Sequence, residues 1–517
     1  MASMSRDRTQ VSDPTTQASV AWPGLALVAL GAVVFHALCL TKYGWFRDEL
    51  YYLSCSKRLA WGYVDQPPLS IAILACLRAV AGEGLGVLRM TASLVAALLP
   101  ILTSLIAREL GGRALAQWAA AAAVAMAPIV LAIGHYYSMN VFDFSFWALA
   151  TQLALRAFRR PTRGGWVVLG VVLGLGLLNK WSVMWLGGAI AVSLLLPAHR
   201  AQLRTSGPWL AAGITALLFA PNLAWQARHG WPTLEFMHNA RAYKMAALEP
   251  VKFLMGQLLV VGPGAVPIWI AGLIAAFLPG RSRWRPIGVI YLTTLVILFA
   301  SGSARVEYLA LACPALFAAG AVWWESRGNV ALVVVGALAV LLAIPILPMA
   351  LPILPIDDFI AYQTKLGVAP NSQERKSVGP LPQHYADMFG WPEFADSVAR
   401  VAATLPPDEF AKAIVIVGNY GEAGALEKFG AGRLPTIACQ HNNWFLWGPP
   451  AWDRGTAILV GRDVAEAEPE FEQVILAGVA GHRLAMPYER ELPILIARGF
   501  KSDLDLLNAW RAGKHYQ

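Results

Sequence analysis

Long apolar runs recur along the first two thirds of the chain and then cease. Eleven can be drawn, at 20–41, 86–107, 113–133, 140–158, 164–179, 182–197, 208–226, 253–278, 285–301, 304–324 and 329–350. A helix crossing a bilayer needs about 20 mostly apolar residues, and these runs meet or approach that length. The fifth and sixth are short and separated only by "NKWS", which also fits one re-entrant hairpin. The first is long for a signal-peptide core and no small-residue cleavage site follows it, so it reads as a retained helix. The pattern predicts a polytopic α-helical membrane protein, with its membrane domain over 20–352. Residues 1–19 are polar and expected to be a disordered cytoplasmic segment.

Two stretches depart from this rhythm. The first loop, 42–85, contains "WFRDELYYLSCSKRLAWGYVDQPPL", where carboxylates are interleaved with aromatics. It predicts two short helices, "RDELYYLSCSKRLAWG" and "DQPPLSIAILACLRAVAG", the second with prolines in its first turn. Both are too broken to span, so they are expected to lie in the membrane interface, with Trp45, Tyr51, Tyr52, Trp61 and Tyr63 at headgroup depth. From 353 to 517 polarity is mixed. The strand-like runs "AKAIVIVG", "GTAILVG" and "LPILIARGF" alternate with helical stretches such as "EFADSVARVAATL", which predicts a small α/β domain.

Composition agrees with the pattern. Of the 517 residues 57% are hydrophobic and 14% charged, with mean hydropathy +0.51, which excludes an ordinary soluble protein. The net charge of +9 sets topology rather than binding nucleic acid. With the N-terminus in the cytoplasm, the inner loops are "ARELGGR", "RAFRRPTRGG", "PAHRAQLR", "PGRSRWR" and "ESRG", and each carries arginine. The first loop and the C-terminal domain then lie outside a cell membrane, inner or plasma. The five cysteines form no CxxC pair, so neither a disulfide framework nor a thiolate metal site is indicated.

This orientation gathers on one face Asp48, Glu49, Asp65, Gln66, His135, Asn140, Asp143, Asn179, Lys180, His238, Arg241, Lys244, Arg305 and Glu307. Carboxylates and bases at the mouth of a helix bundle suggest a site. Asp48 and Tyr52 share a helix face. Asp48, Asp65 and Asp143 also sit where helix caps would. Lys180, Arg241, Lys244 and Arg305 could hold a phosphate at the interface. His135 could ligate a metal or simply hydrogen-bond. No P-loop or dinucleotide fingerprint is present; "GNYGEAG" at Gly418 has the wrong spacing. In the C-terminal domain His441, Asn442, Asn443, Trp444 and Trp447 form a polar-aromatic run that fits either sugar binding or a packed loop. A carboxylate that orients a nucleophile, beside cations that hold a leaving phosphate, suits transfer from a lipid-phosphate sugar. The rival readings are a secondary transporter or lipid flippase, for which internal repeats would be expected and none is visible, and a non-catalytic scaffold.

The motifs "FRDELYY", "LAWGYVDQPPLS", "LGVLRM", "HYYSMNVFDFSFWAL" and "GLGLLNKWS" resemble the membrane half of the GT-C glycosyltransferases, over roughly residues 25–325. The nearest branch is similar to glycosyltransferase family 39, which includes protein O-mannosyltransferases and bacterial aminoarabinose transferases. The resemblance implies a GT-C fold of about eleven transmembrane helices. It implies a polyprenyl-phosphate sugar as donor, and an extracytoplasmic acceptor that is lipid, glycan or protein. It makes Asp48 the catalytic carboxylate, with Glu49 completing the acidic pair and Asp143 as the acidic residue of the second outer loop. Asp65 falls at a metal-ligand position, so a divalent ion is a candidate cofactor, with His135 as a second candidate ligand. Lys180 falls at a lipid-phosphate contact, joined by Arg241 and Arg305. Gln66 is a further candidate donor-phosphate or lipid contact, though it stands where relatives often have Lys or His and brings no charge. Tyr52, His441, Asn442 and Trp444 are the candidate acceptor or sugar contacts.

Overall fold

A computed structural model of the protein describes residues 18–302, 304–501 and 505–517. The expected disordered segment 1–19 lies outside the described residues except for its last two. Among the described residues, four helices are long and apolar enough to cross a membrane: Leu85–Glu109, Ser206–Arg228, Ser282–Ser301 and Asn329–Ala350. Two further helix pairs pass the same test together but are sharply bent. Ala114–Ala125 turns by 59° into Pro128–His135, and Pro250–Val261 turns by 94° into Pro263–Phe277. Proline opens the second half of each pair, where it removes a backbone donor from the helical ladder. Gly262 adds the second bend with a φ of 93°, a conformation that costs glycine little. Met139–Arg159, Arg163–Asn179, Val183–Leu194 and Cys313–Arg327 complete the bundle core. The run expected at 304–324 holds only the short Glu307–Ala310 turn before the helix that starts at Cys313.

Small residues set the closest helix approach. A Cβ on Gly272 would lie 2.0 Å from the Leu316 carbonyl oxygen, and one on Gly320 would lie 1.8 Å from that of Ile268. The helices carrying them are therefore in backbone contact, the packing that membrane helices use where lipid supplies no hydrophobic drive. Large apolar side chains remain exposed on the outer surface, among them Leu217, Leu254, Val296 and Val333, as a lipid-facing surface requires.

The first-loop helices are Arg47–Ser56 and Leu69–Ala81. The first is covered by protein rather than exposed. Residues Glu49 to Ser56 are all buried. Leu50, Tyr51, Leu53 and Cys55 share a core with Trp391, Phe394, Val415 and Leu426 of the C-terminal domain. That domain is built on a five-stranded sheet. Its strands are β1 (Ile414–Val417), β2 (Thr436–Cys439), β3 (Thr456–Val460), β4 (Phe471–Ala480) and β5 (Leu492–Phe500), in the order β2-β1-β3-β5-β4. β1 runs parallel to β2 and β3, while β5 pairs antiparallel with β3 and β4. Helix Tyr420–Phe429, which follows β1, docks on Arg47–Ser56 so closely that a Cβ on Gly424 would lie 2.9 Å from the Leu50 backbone. The domain thus caps the first loop directly.

Candidate functional site

Adjacent residues in a helix point about 100° apart, and Asp48 and Glu49 accordingly have different environments. Glu49 turns inward and is fully buried. Its carboxylate accepts the backbone N–H of Phe46 at 2.9 Å, which closes the helix start, and that of Tyr137 at 3.0 Å. The Arg89 guanidinium, also fully buried, donates to both Glu49 oxygens at 3.3 and 3.2 Å. Arg89 further donates to the carbonyls of Leu40, Lys42 and Gly44, and its Nη1 faces His135 Nε2 at 3.2 Å. Glu49 therefore belongs to a buried clamp that fixes the first loop, and its geometry does not present it to a substrate.

Asp48 turns outward, its side chain 34% exposed. Oδ1 accepts the Tyr420 hydroxyl at 2.9 Å and lies 3.8 Å from Arg47 Nε.

Two cavities meet here. The larger, about 460 Å³, is lined by Asp65, Lys180, Arg241, Lys244 and Arg305, with Trp181, Trp185, Phe236, Met237, Ile297 and Leu298 as its apolar wall. The smaller, about 190 Å³, is lined by Arg47, Lys244, Glu374, Lys376, Asn419, Tyr420, His441 and Tyr488. Lys244 lines both. Asp48 itself is in the lining of neither cavity; its Oδ1 is held by Tyr420, which belongs to the wall of the smaller one.

The cations of the larger cavity are held from behind. Lys180 Nζ donates to Asn140 Oδ1 at 2.6 Å, sits 3.7 Å from Asp143 and lies over the Tyr308 ring at 5.0 Å. Asp143 is fully buried and takes the Ser182 hydroxyl at 2.7–2.8 Å. It is not part of the cavity wall and lies behind Lys180, with which it pairs. Glu374 carries Arg305 at 2.6 Å and Lys244 at 3.7 Å. Sequence reasoning missed Glu374. It arrives on a segment that returns to the 244–246 strand-like turn, with Arg375 N–H on the Lys244 carbonyl at 2.8 Å. Burial pulls the Lys244 ammonium below its ordinary pKa, and Glu374 opposes that shift.

Several expected contacts are packed away. Tyr52 is 3% exposed and lies edge-on to Tyr137. Gln66 is fully buried and does not line either cavity. Asn442 is fully buried, with both side-chain groups used on the Gln517 backbone at 3.1 and 3.3 Å. Trp444 packs against Trp447 and under the Arg58 guanidinium. Of that run only His441 reaches a cavity, with Nε2 3.0 Å from the Gln517 carbonyl. The expected metal pair does not fit either. His135 faces a guanidinium, and among the described residues no three His, Cys, Asp or Glu side chains group around a common point.

Asp65 keeps its place in the cavity wall and accepts the Tyr51 hydroxyl at 3.0 Å. Burial raises its pKa to about 7, with Asp48 adding to the rise and the Tyr51 hydrogen bond opposing it. A carboxyl raised in the folded state contributes stability at low pH that is lost as pH rises through its folded pKa. Asp65→Asn is therefore expected to raise the melting temperature at about pH 8, with the gain shrinking as pH falls below about 7. Thermal unfolding in detergent across that range measures it; a gain that grew towards acid pH would contradict the assignment.

The description dolichyl-phosphate-mannose-protein mannosyltransferase belongs to the family profile that matches residues 65–225. Lipid A galacturonosyltransferase RgtD of Rhizobium johnstonii is 26% identical over 290 residues, covering 54% of this chain and 60% of that protein. An undecaprenyl phosphate-alpha-4-amino-4-deoxy-L-arabinose arabinosyl transferase of Pseudomonas aeruginosa is 28% identical over 180 residues, covering 31% and 32%. The matches to these curated relatives thus span less than two thirds of their length. Among solved structures, ArnT of Cupriavidus metallidurans, apo and bound to undecaprenyl phosphate, superposes with a TM-score of 0.60 at 15% identity, over 92% of this chain and 98% of ArnT. The chain has the GT-C glycosyltransferase fold. An Archaeoglobus fulgidus oligosaccharyltransferase shares it more distantly, with a TM-score of 0.51 over 80% of this chain and 63% of that one. Within the GT-C fold, the ArnT likeness runs through both the bundle and the capping domain, since it covers nearly the whole chain.

Proposed function

We propose that the protein transfers a sugar from a polyprenyl-phosphate donor to an acceptor at the extracytoplasmic face of a cell membrane. The observation that carries this reading is a cavity that sets an apolar wall beside Lys180, Arg241 and Arg305 and shares Lys244 with a smaller polar cavity, whose wall residue Tyr420 holds Asp48. The names of the relatives support the donor class: one is an undecaprenyl-phosphate-dependent arabinosyl transferase, and ArnT binds undecaprenyl phosphate. In this reading the isoprenoid lies against Trp181, Trp185, Phe236 and Leu298, and the donor phosphate faces Lys180, Arg241 and Arg305. The acceptor enters through the smaller cavity.

Asp48 takes the proton of the acceptor hydroxyl as that oxygen bonds to the anomeric carbon. The bond from that carbon to the phosphate oxygen breaks, and the phosphate leaves with the electron pair. The cations stabilise the charge that develops on it. Asp65 sits beside this exchange, and no step is assigned to a metal ion. The arginine-bearing loops support an N-terminus in the cytoplasm and a C-terminal domain outside.

Arg241 probes the donor contact most cleanly, because no ion pair to a carboxylate holds it among the described residues. A hydrogen bond to a charged group contributes about 1.5–3 kcal/mol. Arg241→Gln is therefore expected to raise the donor KM by about tenfold or more, with a much smaller change in kcat. Mass spectrometry of envelope lipids and glycans tests the function in cells: a strain lacking the gene should lose one sugar from one component, and re-expression should restore it. An unchanged profile, with uptake of an intact solute or lipid instead, would favour the transporter reading.

A further inference from the structure

We infer that the C-terminal domain supplies a positioning residue to the reacting carboxylate: Tyr420, whose hydroxyl holds Asp48 and whose ring, packed at a tilt on Tyr51, ties that contact to Asp65. The inference rests on the role proposed for Asp48. Tyr420 opens the helix that follows β1, and Asn419 caps that helix, its Oδ1 accepting the N–H groups of Gly421 and Glu422 at 2.9 and 3.0 Å. The Tyr420 side chain is fixed on several sides. Its ring centroid lies 4.7 Å from Tyr51 and 4.8 Å from His441, with Arg47 over it at 5.5 Å, and the residue is 6% exposed. The helix below it is in near-backbone contact with the first loop. A Cβ on Gly421 would meet the Arg47 side chain at 2.5 Å, and one on Gly424 would meet the Leu50 backbone at 2.9 Å. The hydroxyl's reach to Asp48 is thus set by docked backbone, not by a mobile side chain.

The contact has a chemical consequence. Arg47 Nε, at 3.8 Å, is too far to hydrogen-bond Asp48, so Tyr420 is the group that orients the carboxylate. It engages Oδ1 and leaves Oδ2 without a hydrogen bond among the described residues, free for an acceptor proton. The paired ring extends the arrangement. Tyr51 donates to Asp65 at 3.0 Å and its oxygen accepts the backbone N–H of Asn443, again from the C-terminal domain, at 3.4 Å. Each carboxylate of the site is therefore held by one tyrosine, and both tyrosines are held by the soluble domain.

Tyr420→Phe keeps the ring and removes the hydroxyl. In the full-length protein it is expected to lower kcat by about tenfold to a hundredfold, with the KM of donor and acceptor and the melting temperature nearly unchanged. In the Asp48→Asn background the same change should cost nothing further, because Tyr420 acts through Asp48. An unchanged kcat, or a loss confined to KM, overturns the inference. So does a further loss in the Asp48→Asn background, which remains readable even if the single variant folds poorly. Full activity of Asp48→Asn alone would instead overturn the function proposed for Asp48, so the two failures are distinguishable.

Discussion

Asp48→Asn should leave a folded protein that binds its donor and hardly turns over. General-base catalysis contributes about 10²–10⁴-fold, and a loss of that size in kcat is the expected result. The substitution is conservative in every other respect. Asn keeps an oxygen for the Tyr420 hydroxyl, the side chain is 34% exposed, and Arg47, 3.8 Å away, retains its pair with Asp387 at 3.6 Å. Melting temperature and donor KM should therefore stay near the wild-type values. Turnover assays with a synthetic polyprenyl-phosphate sugar, run beside thermal unfolding, separate the two effects. Normal turnover in this variant would remove Asp48 from the chemistry.

The neighbouring acid predicts the opposite phenotype. Glu49 and Arg89 are both fully buried and paired at 3.2 Å. Removing one partner of such a pair leaves an uncompensated buried charge and costs about 3–5 kcal/mol. Arg89→Met also releases the carbonyls of Leu40, Lys42 and Gly44, which hold the loop before the Arg47–Ser56 helix. That is a large share of the stability of an ordinary domain. Arg89→Met is expected to yield little folded protein, and Glu49→Gln a protein that unfolds at markedly lower temperature. Glu49→Gln combined with Arg89→Met should recover part of the loss, since no charge is then stranded. Fluorescence-detected size exclusion and thermal unfolding measure all three. A Glu49→Gln protein of normal stability but no activity would return Glu49 to the catalytic set.

Much of this was legible in the sequence, and the rest was hidden for identifiable reasons. Apolar runs report burial in lipid directly, so the helical bundle could be drawn from hydropathy alone. Intramembrane and interfacial charges are costly, which is why Asp65, Lys180, Arg241 and Arg305 stood out and do line one cavity. Sequence could not separate Asp48 from Glu49, because one residue of helical rotation decides which is buried on Arg89 and which stays partly exposed beside Tyr420. Nor could it see that Asp143 pairs with Lys180, since one lies in the helix Met139–Arg159 and the other just past the end of Arg163–Asn179. The burial of the first-loop helix could not be read locally because its cover comes from the far end of the chain, as in the Tyr420–Asp48 contact. Glu374 sits in the polar stretch "APNSQERKSVGP", which carries no periodicity. Strand β2 is only four residues long, and β4 is an edge strand exposed over much of its length, so neither shows the alternation that marks a half-buried strand.

The most direct test follows the donor's two halves. Purified protein in vesicles would receive a polyprenyl-phosphate sugar labelled in both the lipid and the sugar, together with a cell-envelope acceptor fraction. The account predicts one free polyprenyl phosphate for each sugar that becomes covalently attached to acceptor, with both signals lost together in Asp48→Asn. Movement of the intact sugar lipid between leaflets, with no free polyprenyl phosphate and no labelled acceptor, would contradict it.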